Sequence, residues 1–292
     1  MIVSSRFQQL DTLLIDTDLA RCEIAPFGAQ VLSFTPRSDG RDLLWCSDAR
    51  LASGRPVRGG IPVCWPWFAR QGVGPEAPQH GFVRTMRWRV ATCAERPDGQ
   101  VRVLLTLDPR ADGWPGGAGW PGACTPELEV LVGDALEVSL RTVNASAQTV
   151  RLTQALHTYF RVGDVRQAGL HGLQGVRYLD KLRGFEEFGQ DAPWRFEDAC
   201  DRIYVRCGAR HVIDDPILER AVVVETRHSA STVVWNPGAE GIAALGDVPL
   251  SDWYQYLCVE AGNCEPRDGV TLGPGDETTL VQRIAAAPRG TT

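Results

Sequence analysis

Lysine is nearly missing from this chain. Of its 30 basic residues, 29 are arginine and one, Lys181, is lysine. Schiff-base chemistry needs a lysine amine, so here it would rest on that single residue in an ordinary polar stretch. Metal signatures are missing as well. There is no His-x-His, no His-Glu-x-x-His and no Cys-x-x-Cys among the nine cysteines, so nothing has the ligand spacing of a zinc site. Neither a Walker A loop nor a Gly-x-Ser-x-Gly elbow occurs, which leaves a P-loop nucleotide site and serine-hydrolase chemistry without support. The expectation is a protein that needs no cofactor and no metal.

Basic runs are absent too. The net charge is −6 and the isoelectric point about 5.5, without the basic stripe that nucleic acid requires. No apolar run approaches a membrane span, and residues 1–10 lack the apolar core of a secretory leader. With nine cysteines in no paired spacing, the reading is free thiols in a reducing cytoplasm. Hydrophobic residues make up 43% and charged residues 23%, the balance of an ordinary globular protein with a sizeable core. A small anion remains a possible ligand, because arginine grips phosphate or carboxylate with a planar fork.

Helical periodicity is also scarce. Strand signals dominate: Val101 to Leu107 places apolar residues on odd positions, and Leu128–Val132 and Ala135–Val143 flank Gly133-Asp134 as a hairpin. Residues 150–162 read as one long strand, and 221–225 and 231–235 as strands around a polar turn. Residues 278–284 read as a closing strand, 249–256 as a short helical turn and the tail from Ala285 as frayed. Many short strands with few helices predict an all-β sandwich or barrel, and the lack of any linker predicts one domain over 1–292. Gly113-Trp-Pro-Gly and Gly119-Trp-Pro-Gly repeat one unit in a stretch too glycine-rich for a strand.

Four segments set polar residues among Gly, Pro and aromatics: 57–68, 78–84, 154–160 and 253–263. His157 and Glu260 each interrupt an apolar strand pattern, and a carboxylate in such a place costs free energy unless it is paired. On pattern alone, a satisfied core histidine and an edge-strand glutamate serve equally well. Arg58-Gly59-Gly60 suits close backbone approach to a ligand, or a loop with a solvated arginine. Gln79-His80-Gly81 followed by Arg84 carries the same two readings. Trp65, Trp67, Trp114 and Trp120 could stack on a sugar, although buried structural aromatics are commoner.

Together and in this order, these segments resemble the hexose-6-phosphate mutarotase branch of the aldose 1-epimerase family. The matching stretches are R58-GGIPVCWPWF-68, Q79-HGFVR-84, A155-LHTYF-160, D201-RIY-204, V234-WNP-237 and C258-VEAGN-263, spread from about residue 20 to 284. The resemblance implies a galactose-mutarotase-like β-supersandwich. It implies His157 and Glu260 as the catalytic pair, Arg58, Gln79 and Arg84 as substrate-binding groups, Asp201 as a further contact and His80 as a pocket residue. The sequence departs from the family where Ala261 follows Glu260, a place where many relatives have proline, and in the extra Gly-Trp-Pro-Gly copy. The implied reaction is anomer exchange of a hexose 6-phosphate, with a sugar phosphate as the only partner, neither nucleic acid nor membrane, and a monomer. The rivals are a mutarotase for neutral aldoses and a carbohydrate-binding sandwich without turnover. A glycoside-active enzyme would need two carboxylates across the bond, and Glu260 is matched by a histidine instead.

Overall fold

Apolar alternation in the middle of the chain builds one side of the core. The computed structural model describes residues 1–49, 55–107, 120–264 and 268–291. In it, Cys124–Val132 and Ala135–Asn144 pair antiparallel from Val132↔Leu136 to Cys124↔Asn144. Burial alternates residue by residue along both strands, as a period of two requires when one face lies on a core. Val101–Thr106 extends this pair on one side and Glu277–Ala287 on the other. Nine strands form the sheet, in the order Trp194–Arg195, Gly169–His171, Arg210–Asp215, Arg220–Arg227, Glu277–Ala287, Ala135–Asn144, Cys124–Val132, Val101–Thr106 and Arg89–Glu95.

A second sheet of eight strands carries the polar motifs. Its order is Glu186–Gln190, Val176–Asp180, Cys200–Val205, Ser231–Asn236, Tyr256–Asn263, Gln154–Leu156 and Val63–Cys64, with Tyr159–Arg161 also paired to Tyr256–Asn263. Leu257, Val259 and Ala261 join Val234, Leu156 and Phe160 in one cluster with Leu128, Val130, Leu140, Val224 and Ile284 of the nine-stranded sheet. Each such aliphatic side chain, fully buried, contributes about 1.5–3 kcal/mol. The two sheets therefore share one core. A four-stranded sheet over Ile2–Phe7, Leu10–Asp16, Ala20–Ala25 and Gln30–Pro36 completes the N-terminal part.

The sequence expectation needs correction in two places, at residues 150–162 and in the tail. Residues 150–162 are not one strand but three: Val150–Leu152 pairs with Val270–Leu272, while Gln154–Leu156 and Tyr159–Arg161 join the eight-stranded sheet. Thr153 breaks the run by leaving the ladder. Its N–H donates to Pro66 O at 3.2 Å and its hydroxyl accepts from Phe68 N–H at 2.8 Å. Arg220–Arg227 and Ser231–Asn236 do flank the expected turn, and because they lie in different sheets the turn at 228–230 crosses between layers. The tail is ordered as strand to Ala287, which pairs with Ala221. The short turn expected within 249–256 is a 3₁₀ turn at Trp253–Gln255. The first Gly-Trp-Pro-Gly unit, with Trp114, lies outside the described residues.

Candidate active site

His157 and Glu260 are 103 positions apart in sequence (260 − 157) but face each other across two adjacent strands. Leu156 pairs with Ala261 and Tyr159 with Cys258, so the same antiparallel register sets His157 opposite Glu260. Directly opposed residues share a face. Alternation puts Leu257, Val259 and Ala261 on the core face and sends Glu260 to the other. Thr158 confirms the division: its hydroxyl donates to Gln282 Oε1 on the nine-stranded sheet, and Gln282 in turn donates to Val259 O at 3.1 Å. Asp201 and Trp235 lie on the Glu260 face as well, because Asp201 pairs with Trp235 and Trp235 with Cys258, two residues before Glu260.

The pair is buried and under-bonded. His157 Nε2 lies 3.3 Å from Glu260 Oε1, with 8% and 1% of the two residues exposed. His157 Nδ1 and Glu260 Oε2 have no hydrogen-bond partner among the described residues. Burial, then Arg58 and Arg84, hold the imidazole well below its usual range. Burial holds the Glu260 carboxyl well above its own, with Lys181 opposing and Asp201 adding to the effect. Both directions describe a pair that holds one proton between its members. Such a pair is net neutral as Glu⁻/HisH⁺ or as GluH/His, and burial penalises any state with net charge. His157 also stacks on Tyr159, with ring centroids 5.0 Å apart at 13°, and its backbone N–H donates to Pro62 O at 3.0 Å. The ring is thus held from two sides.

The residues expected to bind substrate line one cavity with this pair. A cavity of about 250 Å³ is bounded by Arg58, Gln79, His80, Arg84, Asp201, His157 and Glu260 together with Phe68, Lys181, Trp235 and Leu245. That is just below the range of about 300–1,000 Å³ for small-molecule sites, a size for one sugar ring and not a chain of them. The two arginines differ in what they already hold. Arg58 Nε donates to both Asp247 carboxylate oxygens at 3.1 and 3.2 Å, Nη2 to Oδ2 at 3.1 Å, and Nη1 to the Tyr159 hydroxyl at 3.2 Å. Arg84 donates to Gln79 O at 2.7 Å and has no carboxylate partner among the described residues. Burial, and Arg58 among its neighbours, lower its proton affinity. His80 Nδ1 accepts from Ala69 N–H at 3.3 Å, and its Nε2 lies 3.2 Å from the Gln79 side-chain nitrogen. Burial and Arg84 keep that ring neutral.

Two glycine expectations resolve differently. Gly60 does serve a close approach, but to the protein itself. Its φ is +59° and an added Cβ would lie 2.1 Å from Val31 O. Gly81 is likewise pressed against Trp65, where a Cβ would lie 1.8 Å from the carbonyl oxygen. Trp65 and Trp67 are buried, with their indole N–H groups on Thr142 and Pro78. The aromatics at the cavity are Phe68 and Trp235, and the Trp235 ring centroid is 5.8 Å from that of His157 in an edge contact. Sequence reading assigned no role to Trp235, Phe68 or Lys181. For Lys181 the signal was its rarity, and for Trp235 its place within the quoted V234-WNP-237 motif.

A family model described as aldose 1-epimerase matches residues 11–285. The chain belongs to the aldose 1-epimerase family. It is 33% identical over 290 residues to a protein of Escherichia coli K12 named "Putative glucose-6-phosphate 1-epimerase", covering 97% of this chain and 93% of that one. A protein of Cenchrus ciliaris with the same name is 31% identical over 276 residues, covering 91% and 81%. The crystal structure of a protein from Salmonella typhimurium described as a "putative mutarotase" superposes with a TM-score of 0.89 at 29% identity, covering 99% and 94%. A galactose mutarotase-like protein from Clostridium acetobutylicum shares the fold at a TM-score of 0.74 and 14% identity, covering 99% and 98%. The β-supersandwich of the family is therefore the fold of this chain, and as an aldose 1-epimerase family member it is an isomerase.

Proposed function

We propose that this family member interconverts the α and β anomers of a hexose 6-phosphate, glucose 6-phosphate first among them. The observation that carries the reading is the buried, under-bonded His157–Glu260 pair facing a sugar-sized cavity that also holds Arg84, a cation without a carboxylate partner among the described residues. The curated relatives carry names of the same substrate class.

The chemistry follows from the proton count of the pair. Both shifts favour GluH/His at rest; transfer of that proton from Glu260 to His157 Nε2, 3.3 Å away, gives Glu⁻/HisH⁺, in which the carboxylate takes the C1 hydroxyl proton while His157 protonates the ring oxygen. The C1–O5 bond breaks, C1 becomes an aldehyde, and the pair is left as GluH/His. After rotation about C1–C2, His157 takes back the O5 proton as O5 attacks the other face of the carbonyl. Glu260 protonates the C1 oxygen, and the starting form is restored. One proton suffices for the whole cycle, which is the charge state that burial favours. Arg84 supplies charge-assisted hydrogen bonds to the phosphate, Asp201 and Gln79 bind hydroxyl groups, and His80 backs the pocket wall.

One observation favours a second reading. Arg58 is already neutralised by Asp247, and a site with a single unmatched arginine could serve a neutral aldose. Exchange NMR on fresh α-glucose 6-phosphate, with glucose and galactose as controls, separates the two. The expected outcome is exchange far above the spontaneous rate for the phosphate ester and little for the neutral sugars. His157→Asn and Glu260→Gln should each lower that exchange by about 10²–10⁴-fold while still melting cooperatively. A folded variant with near-normal exchange would remove its residue from the mechanism.

A further inference from the structure

The cavity contains a third cation that no motif led to. Lys181, the only lysine of the chain, opens the 3₁₀ turn Lys181–Arg183, where Asp180 accepts the Leu182 N–H at 3.0 Å. Val176–Asp180 pairs with Cys200–Val205, Asp180 opposite Arg202, so the turn starts one strand away from Asp201. The ammonium lies 2.7 Å from Asp201 Oδ2 and 5.4 Å from the centroid of the Phe68 ring, a cation–π distance. The other Asp201 oxygen, Oδ1, is buried and has no hydrogen-bond partner among the described residues. A carboxylate with one oxygen tied and the other bare, at the wall of a sugar-sized cavity, is set to accept a hydroxyl.

We propose that Lys181 is a positioning residue of this site: its single-point ion pair ties Asp201 Oδ2 and leaves Oδ1 free to accept a sugar hydroxyl. This rests on the anomer-exchange reading above. The chemical argument is why the residue is lysine in a chain that otherwise uses arginine throughout. A guanidinium meets a carboxylate with two parallel N–H groups and engages both oxygens, as Arg58 does with Asp247. At position 181 such a fork would cap Oδ1 and fill the space meant for the hydroxyl. An ammonium is a compact point charge that satisfies one oxygen and stops. Lys181 is also the first-ranking charge favouring ionised Glu260, and it opposes the effect of burial on Asp201. Its loss therefore reaches the base as well as the binding group.

The experiment compares Lys181→Arg with Lys181→Met in the full chain, reading KM and kcat for glucose 6-phosphate exchange beside a thermal melt. Wild-type exchange is the control for the functional reading itself: if the wild type does not turn over, that reading has failed, and if it does, the variants test Lys181 alone. Lys181→Arg keeps the charge and the ion pair, so a merely structural bridge predicts wild-type kinetics. The expected result is a folded arginine variant whose KM rises about tenfold or more, the loss of one charge-assisted hydrogen bond. Lys181→Met should show the same rise and, in addition, move the acidic limb of the pH profile to higher pH. Wild-type KM and kcat in the arginine variant would overturn the proposal. Should neither variant fold, the wild type still decides. Amine acylation read by mass spectrometry has only Lys181 and the N-terminus to modify, and glucose 6-phosphate should protect Lys181; an equal rate with and without the sugar phosphate would overturn it.

Discussion

Charge inside the cavity is unevenly matched, and the mismatch decides what each arginine does. Arg58 is bound through two nitrogens to Asp247 and through a third to Tyr159, whereas Arg84 gives one bond to a backbone carbonyl. A phosphate dianion must compete with Asp247 for Arg58 but meets Arg84 unopposed. Arg84→Ala should therefore cost about ten- to a hundredfold in kcat/KM on glucose 6-phosphate and leave glucose almost untouched. Arg58→Ala should impair both substrates, because it also strands the Asp247 carboxylate and releases Tyr159, which stacks on His157. Competition by inorganic phosphate in the wild type, lost in the Arg84 variant, checks the same point. Equal losses on both sugars in the Arg84 variant would return the neutral-aldose reading. In the sequence, broken apolar runs marked His157 and Glu260 only as candidates, and the roles given to them and to Arg58 and Arg84 came from the resemblance to the family. What they hold was not visible. Asp247 lies 189 positions from Arg58 with no motif around it, and Lys181 stood out only by its rarity.

At the scale of the element, strands were easier to read than their partners. Alternation in Val101–Thr106, Cys124–Val132 and Ala135–Asn144 follows from one buried face, and no tertiary information is needed to see it. Which sheet a strand joins depends on contacts made far along the chain. Hence the strands on either side of 228–230 were legible but not the different sheets they join, and Thr153 could not announce that Pro66 would draw it out of the ladder. Turns around the site are set by backbone contact in the same way. The turn that carries Gln79, His80 and Arg84 closes through Gly81, at φ +74° with its α-carbon against the Trp65 carbonyl. Gly81→Ala should lower stability by about 3 kcal/mol or more and reduce exchange, since backbone and not a flexible side chain blocks the new methyl. Gly40 has a similar φ of +72° but nothing within 4 Å of an added Cβ. Gly40→Ala should then cost only about 1–2 kcal/mol, the strain of the left-handed conformation. Urea unfolding of the two variants separates them, and equal losses would show that dihedral strain alone explains Gly81.

For the molecule as a whole, the buried His157–Glu260 pair is a standing cost to the fold. The Glu260 carboxyl is buried to 1% exposure, with Oε2 unbonded and its proton affinity raised well above the ordinary value of 4.5. A group whose folded pKa exceeds its unfolded pKa binds more protons in the native state. By linkage, stability then falls as pH rises: the contribution is fully present below about pH 4.5 and is lost as pH climbs through the folded value. Glutamine has nearly the same shape and never ionises, so Glu260→Gln should remove this term while leaving the packing of Tyr256–Asn263 in place. The variant is expected to be as stable as the wild type near pH 4.5 and more stable at neutral pH. The gain is read as a higher melting temperature of the variant at pH 7, each kcal/mol corresponding to roughly 2–4 °C for a domain somewhat shorter than this one. His157 works in the opposite direction, since burial and the two arginines depress its folded pKa. Its contribution weakens the protein as pH falls through the unfolded histidine range. His157→Asn should accordingly gain stability at low pH, the mirror image of the glutamate variant. Thermal melts of the wild type and both variants between pH 4.5 and 8 test the signs together. A Glu260→Gln curve parallel to that of the wild type would mean that the carboxyl does not titrate differently on unfolding, and the one-proton account of the pair would lose its basis. Curves that diverge with rising pH for the glutamate variant and with falling pH for the histidine variant would mean that the fold gives up stability at both ends of the range to keep a buried acid and a buried base facing one cavity.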